Sequence, residues 1–145
     1  PVIQARGGCV DKYLAEGMMV LLPDDGGNAI SCALEIVACV SDRNAERAAS
    51  GLPPVTAAAG IHRGSLMLGT IGESERMDST VISDVVNTAS RLNGYALSKG
   101  MAIAVSAEVA DQPSARDGIA AEFVPHGETR LRGRDAPVTI YEVRP

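Results

Sequence analysis

Apolar and polar positions change period several times along the chain, and each change predicts an element. Residues 9–14 and 17–22 read as two strands around a tight turn at Ala15, Glu16 and Gly17. Residues 23–28, PDDGGN, form a loop, and Asn28 can cap the helix that follows. There Ala29, Ala33, Ile36, Val37 and Val40 recur on one face at helical spacing. Charged residues cover the rest, and 51–54 break the helix. Residues 55–62 and 65–70 are strands separated by Arg63 and Gly64, with small apolar residues on both sides, as in strands covered on two faces. A β-branched run, 80–82, leads into a helix that starts at Ser83 or Asp84, runs to about Ser98 and stops at Lys99 and Gly100. A short strand at 101–105, a polar loop at 112–118, extended segments at 121–125 and 128–131 and an alternating strand at 136–143 complete the chain. Arg130, Arg132 and Arg134 alternate, which predicts that they point to one side of an extended segment.

Composition narrows what such a fold can do. The 145 residues suffice for one domain with a core. Apolar residues make up 46% and aromatic ones 3%, with no Trp, so Val, Ile, Leu, Ala and Met must build that core. Scarce aromatics weigh against a binder that stacks single-stranded bases. A net charge of −5 supplies no general attraction for nucleic acid or anionic membranes. No apolar run is long enough to span a membrane, and no signal peptide is visible. The three cysteines, at 9, 32 and 39, include no C-x-x-C pair. Cys32 and Cys39 lie seven apart on a helix, about 10 Å of axial rise, too far to bridge. Buried, reduced thiols are expected, which places the domain in a reducing compartment, the cytoplasm.

Asn87 and Arg91 are the most informative polar pair. Four residues apart, they share one helix face. An amide beside a guanidinium suits a ribose next to a phosphate, although from the spacing alone a solvated helix face is the simpler explanation. Asp24 and Asp25 read as turn residues rather than a metal pair. His62 and His126 read as structural, since neither has a nucleophile or metal partner in the sequence. The arginines at 130–134 can also be the charged guard of an exposed edge strand.

The longer pattern from Gly60 to Leu92 decides between these readings. Gly60, Ile61, His62, Gly64, Gly69, Gly72, Arg76, Asp78, Thr80, Val81, Ser83, Asp84, Val86, Asn87, Ala89, Ser90, Arg91 and Leu92 occur in the order of the class III adenylate/guanylate cyclase catalytic domain, which this stretch resembles. The resemblance runs from about Gly7 to Val143. It implies an α/β (α+β) fold, a ferredoxin-like mixed sheet with packed helices, lacking the family's first strand and helix. On that reading residues 1–145 are a single cyclase domain, incomplete at the N-terminus. Residues 1–6 would end a helix that closes at Gly7 and Gly8, and 106–111 would be a short helix.

The resemblance also implies the chemistry. Family members convert a nucleoside triphosphate to the 3′,5′-cyclic monophosphate and pyrophosphate at the interface of two chains packed head to tail. Lys12 and Thr80 match the adenine-reading pair, which makes ATP the expected substrate. Asn87 matches the ribose-positioning residue and Arg91 the residue that stabilises charge on the α-phosphoryl group. Arg132, with Arg134 as the alternative, matches a phosphate-contacting lysine. Glu16 falls where active members carry the second of two aspartates that hold two divalent ions, Mg²⁺ or Mn²⁺. The longer glutamate side chain fits the strict octahedral geometry of Mg²⁺ less readily, and Ala15 replaces a glycine of that turn. The first metal aspartate would lie upstream of Pro1. Two functions follow. One is an adenylate cyclase domain, a lyase working as a homodimer or as a heterodimer with another cyclase domain. The other is a degenerate cyclase-homology domain that binds nucleotide or dimerises and regulates a partner without turnover. Neither involves nucleic acid or insertion of this segment into a membrane.

Overall fold

A computed structural model describes residues 1–23, 25–66, 70–71, 78–79 and 84–145. The chain enters through a one-turn helix α1 (Val2–Ala5) and turns at Gly7, φ +71°, into the hairpin β1 (Cys9–Leu14) and β2 (Gly17–Leu21). The hairpin is antiparallel with a register shift between Val10 and Lys12. Helix α2 (Gly26–Ala49) follows. It starts earlier than its glycines suggest. Asp25, not Asn28, is the N-cap, and its carboxylate accepts from the Gly27 and Asn28 N–H groups. The Gln112 side-chain oxygen accepts from the Gly26 N–H at 2.6 Å. The buried stripe of α2 centres on Ile30, Ala33, Leu34 and Val37 rather than on Ala29 and Ile36.

Of the two strands expected at 55–70, the first is β3 (Ala59–Ile61); residues 67–69 of the second and the run at 80–82 lie outside the described residues, and β4 (Thr70–Ile71) pairs with β5 (Asp78–Ser79). Helix α3 (Asp84–Lys99) closes at Gly100, φ +68°. Then come β6 (Ile103–Ser106), the short helices α4 (Ala107–Ala110) and α5 (Pro113–Arg116), β7 (Glu122–Thr129) and β8 (Val138–Arg144). The loop expected at 112–118 therefore contains a helical turn with Pro113 at its start. The segments expected at 121–125 and 128–131 are one strand, kept in register with β8 across a shift between Pro125 and Gly127.

The strands β3-β6-β8-β7 form a mixed sheet, parallel between β3 and β6 and antiparallel elsewhere. Strand β6 is buried throughout, and its period-2 alternation serves two cores. Ile103 and Val105 pack with Ile30 and Ala33 of α2, Val109 and Ala110 of α4, and Ala115 of α5. Ala104 packs on the other side with Leu92 and Ala96 of α3, Leu131, Val138 and Ile140. The expected α+β class, a mixed sheet with helices packed on it, is what the chain adopts. Among the cysteines, Cys32 is buried as expected, but Cys9 and Cys39 are exposed; all three are free thiols. No helix among the described residues is long and apolar enough to cross a membrane.

Candidate functional site

Helix α3 presents two faces. Thr88, Leu92 and Ala96 recur every four residues and are fully buried. Asn87, one residue round the helix from Thr88, is exposed, and Arg91 follows one turn later at the edge of the buried stripe. The helix is held close to the sheet: the side-chain amide of Asn93 donates to the Ala58 carbonyl at 2.6 Å.

The connection from β7 to β8 folds down onto this helix. It is not the extended segment expected from the alternating arginines. Leu131, between two of them, is buried in the core under α3. The chain then turns at Arg132 and Gly133, where Gly133 has φ +74° and the Arg134 N–H donates to the Leu131 carbonyl at 3.0 Å. Arg132 is exposed at the turn. Arg134 is only 20% exposed and points to α3, with its guanidinium 3.4 Å from the Asp84 carboxylate and donating to the Thr88 hydroxyl. Gly133 lies against Arg91: a Cβ on it would be 3.2 Å from Arg91 Nη2. Of the residues singled out in the sequence, Asn87, Arg91, Arg132 and Arg134 thus belong to one neighbourhood, and the three arginines do not share one side of a strand.

The hairpin residues lie elsewhere. Lys12 sits at the register shift of β1, 3.6 Å from the Asp11 carboxylate, and Glu16 is exposed in the turn. The hairpin packs mainly on itself and on α1, whereas α3 packs on β3 and β6. Thr80 and Asp24 lie outside the described residues. Among the described residues no group of three or more His, Cys, Asp and Glu side chains could hold a metal ion. Glu16 therefore does not complete a metal site with them.

A second polar cluster borders the first, and no spacing along the chain hints at it. His62 follows β3 and Ser106 ends β6, so the parallel pairing of Ile61 with Val105 brings them together. His62 Nδ1 lies 2.7 Å from the Ser106 hydroxyl oxygen and 3.8 Å from the Glu108 carboxylate, with only 6% of the imidazole exposed. Burial lowers the His62 pKa from its ordinary 6.5, with the Arg134 charge acting in the same sense and Glu108 and Asp84 opposing. Burial also works against ionisation of Glu108, but its backbone hydrogen bond and the Ser106 hydroxyl, helped by His62 and Arg134, hold its pKa below the usual carboxyl value. His62, expected to be structural because the sequence showed it no partner, thus has a hydroxyl and a carboxylate beside it.

The unfolded chain binds a proton at His62 more readily than the folded chain does, so this contribution to stability is full above pH 6.5 and is lost as pH falls below it. The Tm is expected to drop between about pH 7.5 and about pH 5.5, and His62→Gln should flatten that part of the curve. An unchanged slope in the variant would show that another group is the source. His126, by contrast, is paired at the surface, 3.1 Å from Glu142 on β8.

Comparison with known proteins gives this arrangement a context. The chain is 33% identical to an adenylate cyclase of Anabaena cylindrica over 150 residues, 98% of this chain and 29% of that protein. It is 35% identical to adenylate cyclase 1 of Rhizobium meliloti over 116 residues, 80% of this chain and 17% of that protein. The chain thus spans less than a third of the length of these relatives. Among solved structures, the adenylyl cyclase CyaB from P. aeruginosa superposes with a TM-score of 0.81 at 26% identity, covering 99% of this chain and 75% of that one. The family model described as the adenylate and guanylate cyclase catalytic domain matches residues 11–144, and the chain belongs to that family.

Proposed function

We propose that this chain is an adenylate cyclase domain that converts ATP to 3′,5′-cyclic AMP and pyrophosphate, with its active site at a head-to-tail interface between two such domains. The observation that carries the reading is the neighbourhood on α3. An exposed amide at Asn87 and the Arg91 guanidinium one turn on lie beside a glycine turn that bears the exposed Arg132.

In the reaction the ribose 3′-hydroxyl attacks the α-phosphorus in line. The bond from phosphorus to the bridging oxygen breaks, pyrophosphate leaves with the electron pair, and the hydroxyl proton is released. Asn87, with both a donor and an acceptor, holds the ribose so that the 3′-oxygen faces the phosphorus. Arg91 meets the charge that grows on the α-phosphoryl oxygens, where a planar fork of donors is better matched than a point charge. Arg132 contacts the departing phosphates. Lys12 donates to the adenine N1 and Thr80 accepts from its exocyclic amine. The family chemistry implies Mg²⁺ or Mn²⁺, to which Glu16 would offer a single carboxylate. Residues 1–145 are read as a single cyclase domain, homodimeric or paired with another cyclase domain, in the cytoplasm.

A second reading has its own support. Glu16 and Ala15 depart from the family's metal-binding turn, which suits a domain that binds nucleotide or dimerises and regulates a partner without turnover. The experiment is cyclic nucleotide formation by the protein carrying this chain, given ATP or GTP with Mg²⁺ or Mn²⁺, alongside an ATP-binding measurement. Cyclic AMP from ATP is the expected result. ATP binding with no product would replace the first reading with the second. Neither binding nor product would overturn both.

A further inference from the structure

We propose that Arg134 is a positioning residue: its guanidinium clasps Thr88 and Asp84 on α3 and so fixes the Arg132–Gly133 turn against Arg91. This rests on the cyclase reading above, and it removes Arg134 from the candidate phosphate ligands.

The turn is fastened at two points. Leu131, 5% exposed, plugs the core under α3 together with Leu92 and Ala96. Three residues later Arg134 reaches the same helix through its side chain. Arg132 and Gly133 are the two residues between these anchors. Released from the second anchor, the turn could pivot about Leu131, and Gly133, with φ +74° and no side chain, would not resist. The face of Gly133 that abuts Arg91 Nη2 would then move, and Arg132 with it.

The anchor on the helix is equally well defined. Thr88 is fully buried, and its hydroxyl donates to the Asp84 carbonyl at 2.7 Å. Its proton is therefore committed, and the oxygen accepts from Arg134. Asp84, in the first turn of α3, places a carboxylate beside the guanidinium. It also offsets the unfavourable approach of a cation to a helix N-terminus. An arginine that is four-fifths buried and paired in this way is poorly placed to leave for a phosphate. Exposed Arg132, two residues earlier, has no such constraint on its exposure.

The test is a set of substitutions in the protein carrying this chain: Arg134→Ala, Thr88→Val, Thr88→Ser and the Arg134→Ala/Thr88→Val double variant. Measured are kcat and KM for ATP, ATP affinity, and Tm. A misplaced turn should lower kcat by about 10- to 100-fold in Arg134→Ala, with a smaller change in KM. Thr88→Val, which touches no nucleotide, should lower kcat in the same way, Thr88→Ser should restore most of it, and the double variant should be no worse than Arg134→Ala. A rise in KM for Arg134→Ala that adds to the effect of Thr88→Val would make Arg134 a phosphate ligand and overturn the proposal. A fall in Tm with kcat and KM unchanged would make the clasp merely structural and overturn it as well. Absence of turnover in the unsubstituted protein would instead strike the cyclase reading. The clasp would then be judged on ATP affinity and on whether the two substitutions act non-additively on Tm; additivity there, or no ATP binding at all, would overturn it.

Discussion

Replacing Arg91 with alanine is expected to lower cyclic AMP formation by about 10²- to 10³-fold, the usual loss when one preorganised group is taken from a developing charge. The substitution is a clean one. The buried stripe of α3 is Thr88, Leu92 and Ala96, and Arg91 stands beside it, so the core under the helix keeps its side chains. Alanine is also the better helix former. The Tm of Arg91→Ala should therefore stay within a few degrees of the parent, because only surface packing against the Gly133 turn is lost. Arg91→Lys should recover little, since a point charge cannot fork onto two phosphoryl oxygens. Asn87→Ala should give a loss of the same order through the ribose instead. Steady-state kcat for these variants, with ATP binding as a control for folding, is the measurement. Normal turnover in both Arg91→Ala and Asn87→Ala would remove α3 from the reaction and with it the central claim about this chain.

The pairing of these two residues is legible in the sequence because a helix repeats every 3.6 residues, so a spacing of four already says that they are neighbours. The hairpin, the long second helix and the last strand are legible for similar local reasons. The β7–β8 connection is not. Its alternating arginines imitate a strand, and only the burial of Leu131 and the left-handed Gly133 reveal a turn that docks on α3. The start of α2 is hidden because Gly26 and Gly27 are poor helix formers by themselves. Their place is set by distant residues: Gln112 takes the Gly26 N–H, and the Ser114 carbonyl leaves no room for a Cβ on Gly27. The contact of His62 with Ser106 spans 44 positions and depends on the parallel pairing of two strands, which no local pattern encodes. What escapes the sequence here is consistently tertiary: who covers a group, and from how far along the chain.

Gly60→Ala is expected to be among the most damaging single changes in the chain, and the reason again lies between elements. Gly60 is the middle residue of β3, in an ordinary extended conformation, so conformational freedom is not what it provides. It provides space. A Cβ at this position would collide with the backbone of α3, at the Asn93 N–H, at the Ala89 carbonyl and, at 2.8 Å, at the Asn93 Cα. None of these atoms can rotate away as the end of a side chain could. The helix must shift as a body, which would strain the Asn93 bond to Ala58 and the packing of Leu92 on Ala104. Overpacking of this kind costs about 3 kcal/mol, or about 10 °C in Tm for a domain of this size. Because the same helix carries Asn87 and Arg91, turnover should fall even where the variant remains folded. Gly94→Ala supplies the contrast on the same helix. A Cβ there meets nothing within 4 Å, so the change should stabilise α3 by about 1 kcal/mol. Thermal unfolding of the two variants side by side decides the matter. Equal, small shifts would mean that α3 does not ride on β3 as closely as described, whereas a large fall for Gly60→Ala and a small rise for Gly94→Ala would establish the first glycine of the motif as the spacer that lets α3 seat against the sheet.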